Sequence, residues 1–283
     1  MFEYKSIVEG KGGTTAKVVE KSVHQDGRVL TTLELRYPRF IHSEFMTHRA
    51  FSRNAASSRA IPVAKMIEQV RNDPAMPIHW GKNQPGMQAR EEHDAEVYIR
   101  SEDWACTSAE AWRFAAGQAA DMAQYFMQAG YHKQIVNRLL EPFQFIVVIV
   151  TATEWDNFFK LRLHEDAQPE MQELARVMKE AMDSTPPRPV ALFEWHLPYI
   201  TEEERVQVLE PSDCIKASVA RCARVSYLTH DREDPDITKD IELHNKLLFS
   251  RHLSPFEHVA WPLIEQVPDN NFIGWVQYRK YVE

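Results

Sequence analysis

Arginine and serine side chains are concentrated in one short segment, residues 47–59, with the sequence THRAFSRNAASSR. Arginine forks fit the oxygen atoms of a phosphate, and serine hydroxyls and backbone N–H groups can satisfy the remaining lone pairs. This composition predicts a binding site for the phosphate of a small ligand. A solvated loop whose arginines pair with surface carboxylates has the same composition, so the segment alone leaves both interpretations open.

A second candidate cluster lies on predicted helices and contains Asn137, Arg138, Asn157 and Arg162. Arg138 stands among apolar residues, and a buried guanidinium needs an anionic or hydrogen-bonding partner. Arg162 follows Asn157 by five positions, which places the two side chains about 140° apart on a helix, on neighbouring faces. A structural salt bridge to a nearby carboxylate such as Glu141 is the alternative to a ligand contact.

A third cluster runs from His252 to His258 as HLSPFEH, with Ser226 upstream of it. Two histidines and a glutamate suggest a metal site, but their six-residue spacing with a proline between them fits no common ligand pattern. We therefore expect no metal here. Ser254 and Glu257 are expected to form a capping box at the start of a helix.

The composition limits the class of protein. The chain has 283 residues and a net charge of −8, which argues against a nucleic-acid polymer as its partner. Between residues 28 and 59, however, the sequence has six arginines and only two glutamates. This basic island suggests a small anionic ligand. Three cysteines without a CxxC pair, no export signal and no apolar run near the roughly 20 residues of a membrane helix predict a cytoplasmic protein with no membrane partner.

The hydrophobic pattern predicts the elements that position these side chains. Alternation over Arg28–Tyr37 and an unbroken apolar run over Phe143–Thr151 predict strands, the second one central and buried. Helical spacing, caps and proline stops predict helices over Arg39–Phe51, Val63–Asn72, Ser108–Ala129, His132–Glu141, Trp155–Leu163, Pro169–Met182 and Ile237–His252.

Three further stretches complete the organisation. Residues 74–104 are polar and rich in turn formers, which predicts a long surface excursion. Residues 184–215 carry five prolines and an acidic run, so we expect a connecting segment there. Residues 217–228 fit either a helix or a strand. The whole chain, residues 1–283, is expected to form one α+β domain, with a mixed or antiparallel sheet flanked by long helices.

Six segments resemble motifs of the flavin-dependent thymidylate synthases. They are HRAFSRNAASSR at 48–59, NRLLEP at 137–142, NFFKLR at 157–162, AQPEMQ at 167–172, ARVSY at 223–227 and SPFEH at 254–258. Six linked motifs are far more specific than one, so they favour ligand binding over the salt-bridge and surface-loop alternatives. In the family the last two segments precede the others. The chain therefore resembles a circularly permuted member, with 184–215 as the join.

The resemblance implies a fold, a reaction and a set of site residues. It implies the family's α+β fold, a homotetramer, FAD as cofactor, NADPH and methylenetetrahydrofolate as co-substrates, and one-carbon transfer to C5 of dUMP to give dTMP. Arg162 would be catalytic, because an arginine beside the base favours negative charge at N3 and O4. The implied substrate contacts are Glu44, Ser57, Ser58, Arg59, Arg138 and Arg162. The implied cofactor contacts are His48, Arg49, Asn54, Asn157, Ser226, Ser254 and Glu257.

Three positions depart from the family's signature. Thr47 replaces its first arginine, Glu44 replaces a glutamine, and Ala55 replaces a glutamate. In the family these positions touch nucleotide or flavin, so the departures leave the group transferred open. A flavin-dependent 5-hydroxymethylation of a pyrimidine deoxynucleotide, with water as the trap, is the second hypothesis. A nucleotide- or RNA-binding module built on the basic island is a non-enzymatic third.

Overall fold

The fold is described from a computed structural model over residues 7–208, 210–225, 236–265 and 267–283. The strands are β1 (Val8–Glu9), β2 (Thr15–His24), β3 (Val29–Pro38), β4 (Ser52–Ala55), β5 (Val97–Ile99), β6 (Trp104–Cys106), β7 (Phe145–Ala152), β8 (Arg188–Val190), β9 (Ala260–Pro262), β10 (Pro268–Asp269), β11 (Phe272–Ile273) and β12 (Trp275–Gln277). The helices are α1 (His42–Phe45), α2 (Val63–Asn72), α3 (Ser108–Gln128), α4 (Lys133–Val136), α5 (Asp156–Arg162), α6 (Pro169–Ser184), α7 (Pro211–Arg224), α8 (Ile237–Phe249) and α9 (Arg279–Val282).

The centre of the fold is a mixed sheet with the strand order β1-β2-β3-β7-β4, and β8 pairs with β2 in parallel. The other pairings in this sheet are antiparallel. The two strands predicted from hydrophobic pattern are its central members, β3 and β7. The predicted combination of a mixed sheet with long helices is confirmed.

One face of the sheet packs against α6 and forms the main apolar core. Leu33 of β3 and Val150 of β7 lie opposite each other and are fully buried there. On α6 the fully buried residues recur every three or four positions, which is the stripe of an amphipathic helix. They are Met171, Leu174, Ala175, Val177 and Met178. Pro169 occupies the first turn, where its missing N–H costs no hydrogen bond.

A β-bulge in β2 divides its buried residues between the two faces of the sheet. The pairing shifts between Val18, opposite Leu33, and Glu20, opposite Thr32. Because one extra residue reverses the direction of the following side chains, Val18 lies in the main core whereas Glu20 and Ser22 lie on the opposite face. That second face is polar at its centre and is covered by residues of the C-terminal part, among them His196, Cys222 and Trp275.

Arg28 attaches the C-terminal part of the chain to the turn between β2 and β3. Its guanidinium donates to the carbonyl oxygens of Leu263 at 2.7 Å, Gly274 at 2.9 Å and Glu265 at 3.1 Å. Gly274 has a φ of +70°, and a Cβ there would lie 2.2 Å from Arg28 Nη1. Only glycine therefore allows this close approach without displacement.

A second apolar cluster joins α2, α3 and the 3₁₀ helix Asn137–Phe143. The predicted capping box starts α3, since Thr107 Oγ1 accepts from the Glu110 backbone N–H and the Glu110 carboxylate accepts from that of Thr107. Gly130, with a φ of +82°, follows its end as expected. Within the described ranges, the helices are too short or too polar to cross a bilayer.

Several predicted helix boundaries were wrong. The predicted helix Arg39–Phe51 consists of the 3₁₀ turn Arg39–Ile41 and the four residues of α1, and the chain then enters β4. The helix ends at Phe45 because the chain turns over residues 46–51 to bring Ser52 into β4, which pairs with β7, so tertiary context outweighs the helical spacing. The helix predicted over His132–Glu141 becomes 3₁₀ after α4 and includes Pro142.

The structure resolves the open C-terminal prediction and adds detail to another. The segment 217–228, for which helix and strand were open, is helical as far as Arg224, and residues 226–228 lie outside the described ranges. Within 184–215 the chain adds β8 to the sheet, forms the π-helical turn Glu204–Val208 and begins α7 at Pro211. The polar excursion 74–104 is largely irregular as predicted, but β5 and β6 form a short hairpin at its end.

Candidate active site

The segment before β4 is held between two buried phenylalanines. Phe45 and Phe51 lie 5.9 Å apart between ring centroids, and both are in the main core. Arg53 fixes the intervening turn, because its guanidinium donates to the Met46 carbonyl at 2.9 Å. The turn therefore presents residues 47–50 at the edge of the sheet, where β4 is the last strand.

His48 is the centre of the first group of predicted site residues. Its ring lies edge-on to Phe158 at 4.8 Å and stacks on Phe51 at 5.9 Å. The Nε–H of Arg162 donates to His48 Nε2 at 2.9 Å, so the imidazole carries its own proton on Nδ1. Burial lowers the pKa of His48 to about 4, with help from the positive charges of Arg162 and Arg53. The ring is neutral at physiological pH.

Glu44 supplies the negative charge beside Arg162. Its carboxylate lies 3.5 Å from Arg162 Nη1, and the Arg162 side chain is 21% exposed. Thr47 donates its hydroxyl to the Glu44 carbonyl at 2.7 Å, so the residue in the place of the family's arginine closes the turn. A half-buried guanidinium that keeps further N–H groups can bind an anionic or carbonyl-bearing ligand.

Glu141 is the centre of a second group. One of its oxygens, Oε1, is approached by Arg138 at 2.7 Å, Arg39 at 3.0 Å and the Ser58 hydroxyl at 3.1 Å. The prediction of a buried Arg138 is wrong, since its side chain is 52% exposed and extends outward from the apolar face of its helix. The alternative salt bridge to Glu141 is present. Ser58 is buried and its hydroxyl is already bonded, whereas Arg138 has N–H groups beyond this contact.

Three of the remaining site residues are exposed, namely Arg49, Arg59 and Asn157. Ser57 is half-buried beside them in sequence, and its Oγ accepts from the Arg59 backbone N–H at 3.3 Å. Exposed arginines next to a serine-rich turn are available to a phosphate.

The last predicted cofactor contacts lie along β4 and the 3₁₀ helix Ser254–Glu257, which contacts it. Asn54 is buried in β4, and its Nδ2 has no hydrogen-bond partner in the part of the chain described. The predicted capping box is wrong. Leu253 occupies the cap position without a side-chain capping bond, and the Glu257 carboxylate accepts from Arg279 instead. Ser226 lies outside the described residues.

Arg53 connects these groups electrostatically. Its charge contributes to the lowered pKa of His48 and, after burial and Arg39, to that of His42, which falls to about 4. Glu257 in turn raises the pKa of Arg53, against the larger effect of burial. Arg39 and Arg53 belong to the basic island of residues 28–59, but no sequence motif gives either of them a role. Glu141 was considered only as a salt-bridge partner, and its position between Arg39 and Arg138 depends on the tertiary fold.

The sheet edge thus carries neutral imidazole, arginine and serine groups backed by aromatic rings, an arrangement that is chemically able to bind a small anionic ligand on an α+β scaffold. The family model of the thymidylate synthase complementing protein matches residues 28–188, more than half of the chain. The chain therefore belongs to this family, the flavin-dependent thymidylate synthases. A comparison with curated proteins finds no match. Family membership indicates a thymidylate-synthase-type enzyme of nucleotide biosynthesis.

Proposed function

We propose that the protein transfers a one-carbon unit from methylenetetrahydrofolate to C5 of dUMP and forms dTMP, with FAD as cofactor and NADPH as reductant. The observation that carries this proposal is the contact between Arg162 and the neutral His48, within a segment that the family model covers. Both residues stand at motif positions of the family. The contact supports one shared site for the base and the cofactor.

Activation of the pyrimidine by electrostatics, not by a thiol, is part of the proposal. Cys106, Cys214 and Cys222 are buried, and burial raises the pKa of all three thiols. A buried neutral thiol is a poor nucleophile, so addition of cysteine to C6 has no support. The Arg162 guanidinium would instead stabilise negative charge at N3 and O4 of the base and raise the electron density at C5.

The remaining predicted contacts divide between phosphate and cofactor. Ser57 and Arg59 would hold the nucleotide, together with Arg138. Arg138 and Ser58 both contact Glu141, so the Ser58 hydroxyl would support the turn instead of the ligand. The residues present fit FAD, since Asn54 has a buried amide N–H without a partner among the described residues and Arg49 is exposed. His48, Arg49, Asn54, Asn157, Ser226, Ser254 and Glu257 would hold the cofactor. When bound, FAD supplies the hydride chemistry of the reaction.

Two other functions remain as alternatives. The departures from the family signature at Glu44, Thr47 and Ala55 motivate 5-hydroxymethylation of a pyrimidine deoxynucleotide as the second candidate, and Glu44 lies 3.5 Å from Arg162. A nucleotide- or RNA-binding module is the non-enzymatic candidate, and the net charge of −8 argues against its polymer form.

The assembly and the chain order belong to the same proposal. We expect a homotetramer of single-domain subunits with the family's fold. Exposed apolar side chains on α3 and near α4 support subunit contacts, among them Tyr125, Tyr131 and Ile135. A circular permutation joined at 184–215 accounts for the family match ending at residue 188.

An absorption spectrum tests the cofactor directly. We expect purified protein to bind FAD with a visible flavin spectrum, and Asn54→Leu to weaken this binding. Asn245→Leu, on the partly exposed helix α8, is the matched control. Wild-type protein that binds no FAD would remove both enzymatic candidates.

A further inference from the structure

A continuous chain of buried hydrogen bonds crosses the polar face of the sheet. It begins at the carboxylate of Glu20 and ends at His258. The links are Glu20 to Ser22 at 3.2 Å, Ser22 to His196 Nδ1 at 2.8 Å, His196 Nε2 to Thr32 at 2.7 Å, Thr32 to Thr151 at 2.7 Å and Thr151 to His258 Nδ1 at 2.8 Å. Each of these side chains is at most 5% exposed.

The fold brings these six residues together from five separate segments of the polypeptide. Glu20 and Ser22 reach this face because of the β2 bulge, and Thr32 and Thr151 lie opposite each other on β3 and β7. Both histidines come from the C-terminal part that covers the sheet. The hydrogen-bond chain therefore depends on the tertiary structure, and no single sequence motif contains all of its residues.

The carboxylate of Glu20 fixes which partner donates and which accepts in each hydrogen bond of this chain. Arg188 and Arg205 lie 3.1 and 3.2 Å from the two oxygens of Glu20, so this carboxylate is held as an ion that can only accept. Ser22 must then donate to Glu20 and accept from the Nδ1–H of His196.

The same order of donor and acceptor holds for the remaining hydrogen bonds. Burial disfavours the charged form of an imidazole, so His196 carries one proton and its Nε2 accepts from the Thr32 hydroxyl. Thr32 then accepts from Thr151, and Thr151 accepts from the Nδ1–H of His258. Burial lowers the pKa of His258 to about 3, so this ring is neutral and its Nε2 is unprotonated.

We propose that Glu20 fixes the tautomer of His258 through this chain, so that His258 is a positioning residue whose Nε2 is held as a bare hydrogen-bond acceptor. His258 Nε2 has no hydrogen-bond partner among the described residues. An unpaired buried acceptor in a folded protein calls for a partner or a role. His258 directly follows the Ser254–Glu257 turn that contacts β4, so the hydrogen bonds link that turn to β2 across the polar face of the sheet.

Nitrogen-15 NMR of protein labelled at histidine tests the proposal, because protonated and unprotonated ring nitrogens resonate in separate ranges. In the wild type we expect both His196 and His258 to carry the proton on Nδ1. The Thr32→Val variant removes the hydroxyl that links the two histidines by hydrogen bonds. In this variant His196 should keep its tautomer and His258 should show averaged shifts from two tautomers. In Ser22→Ala, both histidines should show averaged shifts.

The matched control is Ser218→Ala. It removes a buried serine hydroxyl that donates to the Pro198 carbonyl and takes no part in the hydrogen bonds between Glu20 and His258. Both tautomers should stay as in the wild type. If Ser22→Ala does not fold, Thr32→Val carries the test alone, since valine keeps the shape of threonine. A wild-type His258 with its proton on Nε2, or a His258 tautomer unchanged in the folded Thr32→Val protein, would overturn the proposal. These measurements require neither cofactor nor substrate.

Discussion

The Nε–H of Arg162, on α5, donates to Nε2 of His48, which precedes β4 by four residues, over 2.9 Å. This bond joins two segments that are 114 residues apart in sequence. It directs the lone pair of the imidazole to the guanidinium and leaves Nδ1–H for another acceptor. The proposed reaction depends on this relationship, and the predictions below test it.

His48 should titrate far below the normal range for histidine. Its pKa is lowered to about 4 by burial and then by the Arg162 and Arg53 charges. The stabilisation that comes from keeping His48 neutral is fully present above its unfolded pKa of about 6.5 and is lost as the pH falls towards 4. Proton NMR of the His48 ring should give a midpoint near pH 4. Arg162→Gln should raise that midpoint, and a midpoint near 6.5 in the wild type would contradict the geometry.

Replacement of Arg162 by lysine should lower kcat by a factor on the order of 10² or more, because lysine keeps the charge but cannot donate to His48 and the base at once. Binding of FAD should change less than kcat. The control is Arg90→Lys, because Arg90 is an exposed arginine that pairs with Asp166 at 3.0 Å and is none of the predicted contacts. Equal turnover of both variants would exclude Arg162 as the activating group.

Glu44→Gln should increase kcat/KM for dUMP by roughly tenfold, equal to about 1.4 kcal/mol of transition-state stabilisation. The reason is that the variant removes the carboxylate 3.5 Å from Arg162 and leaves the guanidinium charge to the base. Glu68→Gln, on the exposed side of α2, is the control. The ratio of activities with dUMP and dCMP should be measured for all three proteins. A fall in dUMP activity would show that the carboxylate assists the reaction.

Ser57 and Ser58 should differ although they are neighbours. Ser58→Ala removes a buried bond to Glu141 and should lower the free energy of unfolding by about 1 kcal/mol with little effect on nucleotide affinity. Ser57→Ala should weaken nucleotide binding by about tenfold, since a hydrogen bond to a charged phosphate contributes roughly 1.5–3 kcal/mol. Denaturant unfolding and calorimetric titration with dUMP measure the two quantities. The reverse pattern would assign phosphate contact to Ser58.

The long periodic elements were predictable from the sequence because burial imposes their pattern. β3, β7, α2, α3, α5 and α6 follow apolar alternation, helical stripes and caps that depend on neighbouring residues alone. The helix predicted over Arg39–Phe51 ends at Phe45, because the chain turns there to bring Ser52–Ala55 beside β7, a partner about 95 residues away along the chain. Sequence spacing carries no information about such pairing.

The types of site residue were also predictable, but their environment was not. Motif positions identified His48 and Arg162, yet their direct bond and the neutral state of His48 arise from Phe51, Phe158 and the end of α5. The engagement of Ser58 with Glu141 and the exposure of Arg138 depend on how the 3₁₀ turn after α4 packs. The chain from Glu20 to His258 needs the β2 bulge, which local sequence does not reveal.

Product identification tests the central claim most directly. Purified protein with FAD, NADPH and methylenetetrahydrofolate is offered dUMP and dCMP side by side, and the nucleotides are analysed by mass spectrometry. We predict a product that carries a methyl group at C5 of dUMP and forms only when FAD is present. A product with CH₂OH at C5 would contradict methyl transfer and favour the second candidate. Unchanged nucleotides in the presence of a bound flavin would contradict one-carbon transfer to the pyrimidine altogether.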